Sequence, residues 1–163
     1  VALTYSVIVC AHNESRYLTA CLRSLLAQTR AADEILVIDN ASTDGTRVVA
    51  EGLGVRVIDE PRKGLVIARE TARRHARGDV LVYLDADCRA PARWLERIAR
   101  RFDRDPALAA LSGPYRFYDW DLWGRLLVRG YDFTLAPATQ LLVKHVLRRG
   151  TIFYGGNCSM HRT

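Results

Sequence analysis

The chain has 163 residues, 49% apolar and 26% charged, with a formal net charge of +6. That is an ordinary composition for a soluble globular protein and enough length for one domain with a sizeable core. No apolar run reaches the roughly 18 residues that would span a bilayer. Cys10, Cys21, Cys88 and Cys158 make no CxxC pair and no metal-ligand spacing, so reduced thiols in a cytoplasmic setting are expected. No leader is read at Val1, where a basic segment and an apolar segment are both missing. The charge is uneven: residues 1–60 carry five Lys/Arg against eight Asp/Glu, and the remainder nineteen against ten. A basic second half suits a phosphate-bearing substrate, an anionic membrane surface or nucleic acid.

TYSVIVC (4–10) is short, continuously apolar and rich in β-branched residues, so it predicts a buried strand. After AHNES, Leu18, Cys21, Leu22, Leu25 and Leu26 recur at helical spacing. EILVID (34–39) predicts the second strand. NASTDGT follows as a loop whose Asp44 can cap a helix starting near Thr46. VRVID (55–59) predicts a third strand, and Gly64–Ala76 a helix. DVLVYLD predicts a fourth strand, and Pro91 marks the start of another helix. ALAALSG (107–113) predicts a fifth strand. This alternation implies βαβ units and a mostly parallel sheet covered by helices on both faces, within a single α/β domain. The stretch 115–149 mixes aromatics, leucines and arginines, with a break expected at Pro137. It reads either as an amphipathic basic segment lying on anionic lipid or as helices packed on the core.

Polar signatures follow three of the strands: AHNE the first, DNASTDGT the second and DAD the fourth. A parallel α/β sheet binds ligands at the carboxyl ends of its strands, so the fold would gather these motifs at one edge. If the fourth strand stays extended, Asp85 and Asp87 flank Ala86 on the same side. Two carboxylates so close call for a cation, and with a diphosphate they suit Mg²⁺ or Mn²⁺. The bland alternative is a strand end that caps the next helix. Asp39 and Asn40 could read a nucleobase or ribose, or form an Asx turn. Asn13 and Glu14 could be no more than a helix start, and Lys63 could meet a phosphate or be simply solvated. Asp44, Gly45 and Thr46 are read as scaffold.

SVIVCAHNE, EILVIDNASTDGT, YLDADCRAPARWL and GGNCSMHR, in this order and spacing, resemble family 2 glycosyltransferases. The resemblance covers essentially the whole chain. It implies the GT-A fold, a Rossmann-like, mostly parallel sheet. It also implies inverting, metal-dependent transfer of a sugar from a nucleoside diphosphate sugar to an acceptor hydroxyl. The donor site would comprise Cys10, His12, Glu14, Asp39, Asn40, Lys63, Asp85 and Ala86, with Gly155, Gly156 and Asn157 near the donor sugar and acceptor. Asp87 and Asp85 would hold Mg²⁺ or Mn²⁺, Asp87 most directly.

The sequence departs from the family pattern at His12, where Tyr is frequent, at Asn40, where many members carry a second Asp, and at Glu70, where Asn is frequent. The family's catalytic Asp or Glu follows the GGN segment, so the base is expected beyond Thr163 and the chain is read as an amino-terminal portion. None of Asp103, Asp105, Asp119, Asp121 or Asp132 has a spacing that nominates it instead. The expected partners are a nucleotide-sugar donor and a glycan, lipid-linked or cell-envelope acceptor, with peripheral contact to the inner membrane face as an option. Two other readings stay open: a non-catalytic nucleotide-sugar-binding fragment, and a nucleotidyltransferase, although CAHNES is no triphosphate loop. A dehydrogenase would need GxGxxG after the first strand. Nucleic-acid binding has only the positive charge behind it.

Overall fold

The computed structural model describes residues 2–113, 121–141 and 155–162. They form two compact units, Val1–Leu111 with Cys158–Thr163, and Ser112–Asn157. The expected α/β alternation is present. Its elements are β1 (Tyr5–Ala11), α1 (Ser15–Leu26), β2 (Glu34–Asn40), α2 (Thr46–Gly52), β3 (Arg56–Glu60), α3 (Leu65–His75), β4 (Val80–Leu84), α4 (Trp94–Arg104), β5 (Ala110–Ser112), α5 (Leu122–Phe133), α6 (Leu135–Leu141) and β6 (Asn157–His161).

The six strands lie in the order β3-β2-β1-β4-β6-β5. β1 pairs in parallel with β2, from Ser6 opposite Glu34 to Ala11 opposite Asp39, and with β4, from Tyr5 opposite Val80 to Ile8 opposite Tyr83. β2 pairs in parallel with β3, ending at Asn40 opposite Glu60. Strand alternation divides the core between the two faces. Val7, Val9 and Ala11 pack in one cluster with Leu18, Leu22 and Leu25 of α1 and Leu95 and Phe102 of α4. Ile8, Leu36 and Ile38 pack in the other with Ala68 and Ala72 of α3. Burial on both faces is why β1 and β4 read as unbroken apolar runs. Each fully buried aliphatic side chain contributes roughly 1.5–3 kcal/mol.

Several boundaries differ from the sequence reading. Leu26, the last of the α1 stripe, is exposed. α4 begins at Trp94 rather than at Pro91, whose carbonyl instead accepts the Trp94 N–H at 2.9 Å. β5 is shorter than the predicted strand, and β6 was not predicted as one. β6 inserts between β4 and β5, and Cys158 and Ser159 are buried within it.

In the second unit the helical break falls at Thr134, not at Pro137. Pro137 lies in the first turn of α6, where the missing N–H has no intrahelical bond to lose. Asp121, which its spacing did not nominate as a base, caps α5 by accepting the Gly124 N–H at 2.8 Å. Residues 115–120 and 142–149 of the basic, aromatic stretch lie outside the described residues, as does Asp119. Among the described residues no helix is long and apolar enough to cross a membrane.

Candidate functional site

The strand order reverses between β1 and β4: β2 and β3 lie to one side of β1, β4 to the other. The crevice outside the carboxyl ends of two such strands is where an open parallel sheet binds ligands. His12 to Glu14 follow β1, Asp39 and Asn40 end β2 with Ala41 to Asp44 after them, and Asp85 to Cys88 follow β4, so the three motifs do share this edge.

Side chains of the β2–α2 loop lock the β1–α1 loop. The Asn13 N–H donates to Ser42 Oγ at 3.1 Å, the Glu14 N–H to Thr46 Oγ1 at 2.8 Å and the Ser15 N–H to Asp44 Oδ2 at 3.2 Å. In return, Asn13 Oδ1 accepts the Thr43 N–H at 2.8 Å. Asn13 has φ 57, which Asn tolerates better than most residues, and Ala41 in the facing loop has φ 56. The Ser15 bond satisfies the first N–H of α1, and the Glu14 bond that of its cap residue; the helix has no side-chain cap of its own. Asp44 does not itself occupy the cap position of α2, which is Gly45, but it bonds both the N–H and the hydroxyl of Thr46. Asp44 and Thr46 are therefore scaffold, as expected.

His12 Nδ1 lies 2.8 Å from the Asn40 carbonyl oxygen. A carbonyl cannot donate, so Nδ1 carries a proton, and in the corresponding neutral tautomer Nε2 is the acceptor. Asp39 is buried, with one carboxylate oxygen accepting the Ser42 N–H at 3.3 Å. The Asn40 side chain is engaged within the protein. Its Nδ2 donates to the Glu60 carbonyl at 3.2 Å and the Arg62 carbonyl at 2.7 Å, and its Oδ1 accepts the Gly64 N–H at 2.8 Å. The carboxamide is spent on holding the β3–α3 loop, which carries the exposed Lys63 and the positive-φ Gly64. Glu70 forms solvated ion pairs with Arg73 at 2.8 Å and Arg74 at 2.7 Å on the surface of α3.

β4 ends at Leu84, so the two aspartates converge through a turn rather than through the pleat of a strand. The Cys88 N–H donates to the Asp85 carbonyl at 3.0 Å and closes that turn. Ala86 is buried in the core cluster. The carboxylates of Asp85 and Asp87 and the sulfur of Cys88 bring donor atoms within 4.8 Å of one another. Cys88 is the member that sequence spacing missed. A CxxC pattern cannot register it, because this thiol lies beside two carboxylates across a tight turn.

The electrostatics of the edge are acidic. Glu14 has its carboxyl pushed up, first by burial, then by the charges of Asp87 and Asp44. Burial raises the Cys10 thiol to about 12, with Arg69 opposing and Asp85 adding to the rise. Burial likewise pushes Cys88 up to about 12, helped by Asp87. Arg69 on α3, also not nominated by the sequence, stacks 5.7 Å from the Tyr83 ring and offsets the rise at Cys10, Tyr83 and Cys158. Paired carboxylates in a turn, with a further carboxyl in their field, form a donor set suited to a divalent cation with oxygen preference.

Gly155, Gly156 and Asn157 belong to the second unit. There the Asn157 Nδ2 donates to the Gly113 carbonyl and the Gly113 N–H to the Asn157 carbonyl, both at 3.2 Å. A separate cleft opens at the amino ends of the strands, lined by Asp33, Glu34, Arg56 and Arg77 among others. Glu34 and Arg56 pair there at 2.6 Å, and none of the three motifs reaches it.

The family profile described as Glycosyl transferase family 2 matches residues 6–163. The chain is 34% identical over 100 residues to glycosyltransferase AglE of Haloferax volcanii, covering 56% of this chain and 33% of that protein. It is 32% identical over 141 residues to chondroitin synthase of Escherichia coli, covering 83% of this chain and 20% of that protein. The chain thus spans a third or less of these relatives' length. Among solved structures it resembles the mannosyltransferase PcManGT from Pyrobaculum calidifontis in complex with GDP-Man and Mn²⁺. That likeness has a TM-score of 0.74 and 25% identity, over 99% of this chain and 45% of the other. Glucosyl-3-phosphoglycerate synthase from Mycobacterium tuberculosis in complex with UDP shares the fold, with a TM-score of 0.71 and 21% identity over 98% of this chain and 57% of that one.

Proposed function

The chain belongs to glycosyl transferase family 2 and has the GT-A fold, and from that premise we propose that its β1–β4 edge is the donor site of an inverting, metal-dependent glycosyltransferase. The donor is a nucleoside diphosphate sugar and the acceptor a hydroxyl group. The observation that carries this reading is the meeting of Asp85 and Asp87 with the field of Glu14 at the strand-order reversal. Asp87 and Asp85 would hold Mg²⁺ or Mn²⁺. Such a cation, when bound, supplies the positive charge that offsets the carboxylates and the departing diphosphate.

The protein's own groups do the rest. Asp39, buried at the end of β2, offers a carboxylate to a ribose or base donor. His12, fixed by the Asn40 carbonyl, presents an acceptor nitrogen and a flat ring. Asn40 positions the loop that carries Lys63. Gly156 and Asn157 are proposed to line the sugar, on the family pattern alone. The second unit suits a lipid-linked or cell-envelope acceptor, because α5 exposes Leu122, Trp123, Leu126, Leu127 and Phe133 beside Arg129. A peripheral place on the inner membrane face goes with that reading. Binding to anionic vesicles should weaken with salt, and equal retention on neutral vesicles would remove the electrostatic part.

The test is calorimetric titration with UDP, GDP and dTDP, each with and without Mn²⁺, on the parent and Asp87→Ala. One nucleotide should bind only with the metal, and Asp87→Ala should lose that binding while its circular dichroism is unchanged. Affinity that Asp87→Ala leaves intact would sink the site assignment. Metal-dependent hydrolysis or transfer from a nucleoside triphosphate would favour a nucleotidyltransferase instead.

A further inference from the structure

The outer face of α3 carries positive charge and exposed apolar surface that the donor site does not use. We propose that this face docks the protein on a bilayer rich in anionic lipid, with Leu65 and Val66 entering the interface and the arginines behind them meeting lipid phosphates. The inference rests on the peripheral-membrane reading above and gives it a surface within the first unit, separate from α5.

Ala68, Thr71 and Ala72 are the buried residues of α3, and the two alanines pack with Ile8, Leu36 and Ile38 of the sheet. At 3.6 residues per turn, Val66, Glu70 and Arg73 lie on the opposite side, with Arg69 and Arg74 on its flanks. Val66 is 82% exposed and Leu65 53%. Two adjacent aliphatic side chains in the first turn thus stand in solvent at the end of a basic face.

The charge is one-sided. From residue 60 to residue 77, six Lys or Arg stand against two carboxylates, Glu60 and Glu70. Arg62 neutralises Glu60 at 2.9 Å, whereas Glu70 is shared by Arg73 at 2.8 Å and Arg74 at 2.7 Å. One carboxylate serving two guanidiniums leaves positive charge over, and Lys63 and Arg77 add to it just beyond the two ends of the helix. Anionic headgroups complement such a face.

The apolar pair decides between polyanions. A nucleic-acid backbone offers charge but nothing for two exposed aliphatic side chains, whereas a bilayer interface takes an apolar tip with basic residues around it. The first turn of α3 follows the carboxyl end of β3. Docking through it would keep the donor-site edge beside the membrane, where a lipid-linked hydroxyl stands.

The experiment is co-sedimentation of the protein with phosphatidylcholine vesicles and with vesicles that also hold phosphatidylglycerol. Parent, Arg73→Gln/Arg74→Gln, Leu65→Ser/Val66→Ser and Trp123→Ser/Leu127→Ser are compared. Circular dichroism and Mn²⁺-dependent nucleotide binding are measured on each. The Arg73/Arg74 variant should bind anionic vesicles about tenfold weaker or more, and the Leu65/Val66 variant about fivefold weaker. Both should keep the parent's circular dichroism and its nucleotide affinity. Parent-like retention of both α3 variants overturns the proposal; if the Trp123/Leu127 variant alone is lost, the membrane reading of α5 stands without it. A parent that ignores vesicles but binds polyuridylate through Arg73 and Arg74 overturns it in favour of a nucleic acid. Weakened α3 variants support the docking face even if no nucleotide binds the parent, an outcome that removes only the donor-site reading.

Discussion

Ser15 and Asp44, at the starts of two different helices, are joined directly: the Ser15 N–H donates to Asp44 Oδ2 at 3.2 Å, while Asp44 Oδ1 accepts the Thr46 N–H at 2.9 Å. One carboxylate thus serves the N-termini of α1 and α2, where negative charge is also favoured by the helix dipoles. Thr46 first, and then Ser15, hold the Asp44 carboxyl well below the usual range. Asp44→Ala is expected to lower the thermal midpoint at neutral pH and to raise amide exchange in the first turn of α1. Unchanged exchange there would show that α1 is held by packing alone.

Glu14 shares the field of Asp87, which helps push its carboxyl up. Asp87→Asn removes that repulsion, so Glu14 should titrate at lower pH in the variant. Carboxyl-carbon NMR reads this directly, and an unmoved Glu14 titration would separate the two groups.

Asn40 is expected to tolerate neither deletion nor charge. Asn40→Ala leaves the Glu60 and Arg62 carbonyls and the Gly64 N–H without their partner, at a cost of about 1–3 kcal/mol. Asn40→Asp should be worse, because an acceptor then faces two carbonyls. Urea unfolding ranks the two variants, and the reverse order would mean that the loop rearranges around a carboxylate.

Glu60 is buried at the end of β3 and held at about 2, first by the Arg62 side chain and then by Thr71. Its native value lies below the unfolded one of about 4.3. The stabilisation is therefore complete above about pH 4.3 and lost as the pH falls toward 2. Glu60→Gln should be less stable than the parent at pH 7, and the gap should close in acid. Equal urea midpoints at pH 7 would contradict it.

Gly78 turns the chain into β4 against the backbone of β1. A Cβ at this position would lie 2.5 Å from the Ser6 nitrogen and 2.9 Å from its Oγ, and the Gly78 N–H donates to that Oγ at 2.8 Å. Gly78→Ala should cost about 1–3 kcal/mol through overpacking, measured by denaturant unfolding. A neutral substitution would mean that the turn yields.

The α/β class, five of the strands and the edge to inspect were legible in the sequence, because these features are local. Unbroken apolar runs follow from burial on both sheet faces, and helical stripes follow from a period of 3.6 residues. The polar residues immediately after β1, β2 and β4 could be placed at one edge because parallel strands all end on the same side. What each polar group does there was not local. Asn40 and Asp39 are neighbours with similar side chains, yet the register of β2 on β3 turns the Asn40 carboxamide toward Glu60, Arg62 and Gly64. Cys88 joins the aspartates only because a turn, not a continuing strand, follows Leu84. The sequence by itself determined which residue types stand at the strand ends. Only the tertiary structure decided which are spent on holding loops and which are gathered side by side at one turn, because hydrogen-bond partners are chosen by distance in space.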